Sequence, residues 1–340
     1  MTRPLIISAP APRTLPLIFR DTALRRLRES YEIVETDAEG LPQLDDRALA
    51  AARYLIGQPP LPGELVARMT GLRAVFNVEG NFTPDMDYDA LFSRGVHVLT
   101  PSQVFARPVA EIGLGMALDL FRQITAADRA VADGSEAWGL DSNRQARLLH
   151  RAEVGMIGYG EIGRVLHGLL RPFDVTLKVF DPWLPDALIR DAGAHPVTFE
   201  SAISEADLIF VVAGVTSENR GFIDADAFRC MREGAAFVLL SRADVVDFDA
   251  FLSAVASGRI TGASDVWPEE PLRADHPARG MTGLLRSAHR AGAMDHVFHE
   301  MGDYVLDDMD LLDRGLPPMR CRRAERETVG RLRSRPVEKN

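Results

Sequence analysis

Cysteine is nearly missing from this chain. Cys230 and Cys321 are the only two in 340 residues, which excludes a disulfide framework and a cysteine metal knuckle and fits a reducing cytoplasm. Lysine occurs only at 178 and 339; arginine carries nearly all the basic charge, which reads as genomic bias and not as function. Positive charge is in deficit overall, with 39 Lys and Arg against 49 Asp and Glu and a formal net charge of -10. That balance disfavours a nucleic acid or an anionic membrane as partner. No apolar run approaches the roughly 20 residues that cross a bilayer. The opening Met1-Thr2-Arg3-Pro4-Leu5-Ile6-Ile7 lacks a long apolar stretch, so it reads as a first β-strand and not as a signal peptide. Metal chemistry finds no support either: His296 and His299 share a helical face without cysteine or H-E-x-x-H company.

What the chain does contain is a rhythm of short apolar strands and helical patterns. The length exceeds what one core usually serves, so two domains are expected. Strands are expected at 5–7, 54–56, 74–78 and 96–99, alternating with helical stretches such as 21–30 and 62–69. Pro101 and Pro108 punctuate a connection, and 109–122 reads as a strongly apolar helix with small residues at Ala110, Gly113 and Ala117, buried on several sides. A second series follows, with strands at 153–157, 175–180, 207–213, 235–241, 260–265 and 284–288. After His296 an amphipathic helix returns through Met301, Val305, Leu306, Met309 and Leu312. Residues 320–340 carry eight basic and three acidic side chains and read as a solvated tail.

One stretch carries the strongest chemistry. Val154-Gly155-Met156-Ile157 runs into Gly158-Tyr159-Gly160-Glu161-Ile162-Gly163, and a second apolar strand ends eighteen residues later in Asp181. Strand, G-x-G-x-x-G turn, helix, strand and carboxylate form the geometry that seats a dinucleotide. Gly158 permits the tight turn, Gly160 lets a pyrophosphate approach the backbone, and Gly163 lets the helix pack on the sheet. Asp181 would accept from a ribose diol and repel a 2′-phosphate, which points to NAD and not NADP. Glycine-rich turns also serve packing alone; the two strands and Asp181 favour the nucleotide.

Three further positions sit at strand ends, where a doubly wound parallel sheet meets its ligand. Arg242 follows the strand around Ala236 to Ser241 and could fork onto a carboxylate or make an ordinary surface ion pair. Asp265 ends the next strand, with Glu270 five residues on in an acidic, proline-stiffened loop. His289 follows the last strand; alone, it could be structural.

Together they resemble the D-isomer-specific 2-hydroxyacid dehydrogenase family. Thr100-Pro101 with Val109-Ala110-Glu111 resembles the start of its interdomain helix. Arg171-Pro172-Phe173 and Asp181-Pro182 resemble the flanks of its second strand, and Asp265-Val266-Trp267 to Glu270-Pro271-Leu272 resembles its D-V-F-x-x-E-P-L signature. The resemblance implies two doubly wound α/β domains, a Rossmann NAD-binding domain (109–296) inserted in a flavodoxin-like substrate domain (1–108 and 297–340), assembled as a homodimer with the active cleft between the domains. It implies a substrate-holding role for Arg242, a general acid/base in His289, its partner in Glu270, Asp265 beside the nicotinamide and Ser241 along the cofactor. The backbone of Val78, Glu79 and Gly80 would grip the substrate carboxylate. Glu270 would keep the His289 imidazole charged near neutral pH. The implied reaction is hydride transfer between NAD(H) and a small 2-hydroxy or 2-oxo acid. The alternative is a non-catalytic NAD(H)-sensing protein of corepressor type; a formate dehydrogenase is disfavoured because glutamine usually stands there at the position of Glu270.

The departures from the family pattern bear on substrate identity. Leu239 and Ala243 replace the usual asparagine and glycine around the arginine, and Gly214-Val215-Thr216 replaces the P-L-T turn. Ser287-Ala288-His289 replaces T-P-H. Glu79 sits in the substrate loop, where its charge would repel an anionic tail unless it points away.

Overall fold

The computed structural model describes residues 3–332. Thirteen strands are described in it: β1 (Leu5–Ala9), β2 (Glu32–Glu35), β3 (Ala52–Gly57), β4 (Ala74–Phe76), β5 (His97–Thr100), β6 (Glu153–Ile157), β7 (Thr176–Phe180), β8 (His195–Pro196), β9 (Leu208–Val211), β10 (Ala235–Leu239), β11 (Ile260–Ser264), β12 (Leu284–Arg286) and β13 (Arg322–Arg323). They form two sheets in two compact units, Met1–Val104 with Ala293–Asn340, and Phe105–Gly292. The expected boundaries, after 108 and after 296, each lie four residues further on and inside the helices Ala106–Arg122 and Asp295–Asp313. Pro108 belongs to the first turn of its helix, where a missing N–H is tolerated.

The terminal unit orders its strands β13-β5-β4-β3-β1-β2. Strands β1 to β5 are parallel, and β13 closes the β5 edge antiparallel. β2 escapes the sequence pattern because its Glu32-Ile33-Val34-Glu35 offers only two apolar residues and neither end is buried. The solvated-tail expectation is corrected here for the described part: Cys321, Ala324 and Val329 are buried, and Met319, Arg320 and Cys321 donate their backbone N–H groups to the buried Asp308 carboxylate at 2.7–2.9 Å. Arginines at 320, 322 and 323 mask that apolar thread in the sequence. Residues 333–340 of the expected tail lie outside the described residues.

The central unit orders its strands β12-β11-β10-β9-β6-β7-β8, all parallel. β9 and β10 are buried along their whole length, as continuous apolar strands covered on both faces must be. The helix Ala106–Arg122 packs on the helix Glu161–Leu170, and a Cβ at its Gly113 would strike Leu240 at 2.4 Å. Strand order reverses between β6 and β9. The crevice beyond their C-terminal ends is therefore the expected ligand position.

Among the described residues, no helix is long and apolar enough to cross a membrane, and no three His, Cys, Asp or Glu side chains converge as a metal site.

Candidate active site

The glycine turn lies at that reversal. Gly158 has φ +91°, and a Cβ there would meet the Ala213 backbone after β9 at 2.7 Å, so both conformation and space demand glycine. A Cβ at Gly163 would press on the Gly158 carbonyl oxygen and the Met156 sulfur at 3.0 and 3.2 Å. At Gly160, the residue before the helix Glu161–Leu170, a Cβ would meet nothing within 4 Å. The backbone at Gly160 is therefore uncrowded, and a helix start leaves its first N–H groups without intrahelical partners, a combination that suits a pyrophosphate.

Asp181 leaves the end of β7 toward this turn. Its Oδ2 accepts from the Tyr159 N–H at 2.7 Å and its Oδ1 from the Trp183 N–H at 2.9 Å. Each carboxylate oxygen keeps acceptor capacity for a ribose hydroxyl. Tyr159 is itself anchored, its hydroxyl 2.6 Å from His167 Nδ1 in the helix. Burial lowers the His167 pKa and the charge of Arg171 adds to the effect, so this imidazole is neutral and serves as a hydrogen-bond partner. On the other side of the reversal, Ser241 follows β10; its hydroxyl is buried and has no hydrogen-bond partner among the described residues. An orphaned hydroxyl there suits a polar ligand. These residues fit a dinucleotide.

The strand ends beyond Ser241 converge on a second cluster. His289 Nδ1 lies 2.6 Å from Glu270 Oε2. Burial alone would push the Glu270 carboxyl up, but hydrogen bonds from His289 and the Trp267 N–H, with the charges of His289 and Arg242, outweigh it and hold the pKa below the usual glutamate value. Glu270 is therefore ionised, and Arg242 lies near enough to contribute. His289 adopts φ +47°, a left-handed conformation costly for a residue with a Cβ.

Asp265 holds that conformation. Its backbone oxygen accepts from the His289 N–H at 2.7 Å, and its carboxylate accepts from the N–H groups of Arg290 and Ala291, both at 3.1 Å. Asp265 is 1% exposed, so its contacts serve the loop that carries the histidine. Trp267, quoted in the sequence pattern without a role, joins the two halves: its backbone N–H donates to Glu270 Oε1 at 2.8 Å and its indole N–H to the Ser287 carbonyl at 2.7 Å. The signal was its chemistry, since a buried indole N–H after a strand needs an acceptor.

In the terminal unit, the loop after β4 is shaped by the buried Asn77, whose Oδ1 accepts from the Glu79 N–H at 3.0 Å and whose Nδ2 donates to the Asn81 carbonyl at 2.6 Å. Gly80 takes φ +86°. Of the three amides expected to grip a carboxylate, that of Glu79 is already engaged within the loop. The Glu79 side chain is buried and faces Arg13.

A doubly wound dinucleotide domain with a paired histidine and glutamate at its strand ends defines an oxidoreductase-type NAD-binding unit. The family described as D-isomer specific 2-hydroxyacid dehydrogenase, NAD binding domain, matches residues 114–291, and the chain belongs to it. The cofactor of that domain is NAD. A solved phosphoglycerate oxidoreductase from Rhizobium etli is 55% identical, with TM-score 0.90 over 96% of this chain and 100% of that one. Glyoxylate/hydroxypyruvate reductase B of Pectobacterium carotovorum is 25% identical over 296 residues, 85% of this chain and 90% of the relative. D-3-phosphoglycerate dehydrogenase of Bacillus subtilis is 27% identical over 264 residues, 75% of this chain; the match spans only 48% of that relative.

Proposed function

We propose that this protein is an NAD-dependent oxidoreductase interconverting a small 2-hydroxy acid and its 2-oxo acid. The observation that carries this reading is the 2.6 Å contact between His289 and the ionised Glu270, beside Arg242 and on the same sheet edge as the glycine turn. When bound, the nicotinamide supplies or takes the hydride. Arg242 fixes the substrate carboxylate and polarises the carbonyl oxygen, a task suited to a planar, permanently charged fork. His289 gives a proton to the developing alkoxide in reduction and takes it back in oxidation. Glu270 orients the imidazole through Nδ1, leaving Nε2 for the substrate. Asp181 selects NAD over NADP, Ser241 lies along the cofactor, and Asp265 serves the nicotinamide side by holding the His289 loop. In the terminal unit, the Val78 and Gly80 amides hold the substrate carboxylate.

The binding-protein alternative is not favoured, because ligand sensing has no use for a histidine held 2.6 Å from an ionised glutamate at the strand ends. We further propose a cytoplasmic homodimer. The apolar side chains Ile124, Val131, Trp138, Leu140 and Leu148, 56–79% exposed, support the dimer; the two free cysteines support the compartment. A panel of 2-oxoacids with NADH, followed at the nicotinamide absorbance, tests the activity. NADH oxidation with at least one acid is expected, and none with any would overturn the proposal.

A further inference from the structure

In the terminal unit the strand order turns back between β1 and β3, so the crevice beyond their C-terminal ends is where such a sheet receives a ligand. Loops leave β1, β3 and β4 there. Gly57 ends β3 at φ +136°, where a Cβ would overlap the Ala9 carbonyl oxygen at 2.0 Å. The next residue, Gln58, is buried and donates through Nε2 to the carbonyls of Pro10 and Ala11 at 3.2 and 2.6 Å. That ties down the loop carrying Arg13. On the far side of β3, Asn77 fixes the turn that carries Glu79. Arg13 Nε and Glu79 Oε1 lie 3.6 Å apart over this edge, with side chains 14% and 4% exposed, and the Phe298 ring lies 4.8 Å from the guanidinium carbon.

We propose that the Arg13–Glu79 pair sets substrate selectivity, favouring small 2-oxoacids whose far end is an uncharged hydrogen-bonding group, such as a hydroxyl, over those ending in a phosphate ester or a second carboxylate. This rests on the reading that the loop after β4 receives the acid. A second anion beside the pair meets one attractive and one repulsive charge at similar range, so the Coulomb terms oppose each other while the anion still loses its water. Drawing Arg13 off moves a cation away from the buried Glu79 carboxylate. A hydroxyl can accept from the guanidinium and donate to the carboxylate at once, and leaves the ion pair closed.

The test compares pyruvate with its derivatives bearing a terminal hydroxyl, phosphate ester or carboxylate. Each is measured as kcat/KM with NADH and as binding to the NADH-loaded protein by quenching of nicotinamide fluorescence. The wild type is expected to prefer the hydroxyl compound over both anionic ones by about tenfold or more, the scale on which a polar pocket rejects a mismatched group. Glu79→Gln keeps the shape and removes the negative charge beside Arg13, and should move that ratio toward the anionic compounds by about tenfold. Because Arg13→Gln alone removes a cation from beside the buried Glu79 and can fail to fold, Arg13→Gln with Glu79→Gln serves as the control; it should show no gain for the anions. A wild type that takes the phosphate ester or dicarboxylate as well as the hydroxyl compound overturns the inference, as does an unchanged ratio in Glu79→Gln. Absence of turnover with every acid would instead overturn the proposed activity, and the binding ratios would still decide on Arg13 and Glu79.

Discussion

At the scale of single residues, the pair Glu270 and His289 links charge to catalysis in both directions. The carboxylate of Glu270 lies 2.6 Å from the imidazole that would carry the proton. Reduction consumes a proton from that imidazole, so its kcat/KM should fall as pH rises, while oxidation should rise. In Glu270→Gln both midpoints should move to lower pH, and reduction at neutral pH should suffer more than oxidation at high pH. Profiles in both directions across about pH 5 to 10, with a slow substrate so that product release does not mask the chemistry, check this; unmoved midpoints would break the assignment. The lowered Glu270 pKa has a stability consequence. A carboxyl whose pKa drops on folding stabilises the fold above its ordinary value of 4.5 and loses that contribution as pH falls through the lower folded value. The Tm gap between wild type and Glu270→Gln should therefore close on acidification. Arg242 makes a second residue-scale prediction: a lysine cannot reproduce its fork, so Arg242→Lys should bind NADH as before yet lose about 2 to 5 kcal/mol in kcat/KM. Near-native turnover would make Arg242 a bystander.

At the scale of elements, the C-terminal ends of β10, β11 and β12 cooperate, and Asp265 is the hinge of that cooperation. A left-handed His289 persists only if its surroundings over-determine it, and the Asp265 carboxylate supplies two of the bonds that do so. Asp265→Asn keeps the size but turns an amide N–H toward one of those donors. We expect kcat to drop about ten- to a hundredfold with the NADH dissociation constant unchanged, the signature of a misaimed acid. Weakened NADH binding with kcat retained would mean instead that Asp265 acts on the cofactor. Elements also mark where the sequence was legible. The glycine turn and Asp181 could be read because a tight turn, a helix start and a strand end are all local signals. Asp265 and Trp267 could be seen as residues but not as clamps, since the partners that tie them to the His289 loop (Ser287, Arg290 and Ala291) lie twenty or more positions away. β8 was invisible because two residues, one of them proline, give no alternation. Arg13 gave no signal at all; only the fold sets it against Glu79.

At the scale of the whole molecule, the remaining question is what covers the segment after the helix Ala106–Arg122. That helix satisfies its own apolar side: Val109, Ala110, Met116, Ala117 and Phe121 are buried within the central unit. The excess apolar surface lies further on. The helix Ile124–Asp133 buries none of its residues, and Trp138 and Leu140 are 79 and 76% exposed. A lone exposed leucine needs no explanation, but five large apolar side chains within 25 residues of one another do. A second copy of the chain, related by a two-fold axis that sets the same patch against itself, is the simplest cover, because one self-complementary surface then suffices for both partners. Light scattering at low micromolar concentration should give twice the chain mass of 37.4 kDa. Trp138→Glu with Leu148→Glu places charges at two of these exposed positions without touching the buried core, and should yield a folded monomer with an unchanged far-ultraviolet circular dichroism spectrum. A wild-type mass of one chain would remove the dimer from the proposal, and a double variant that stays dimeric would move the interface to another surface.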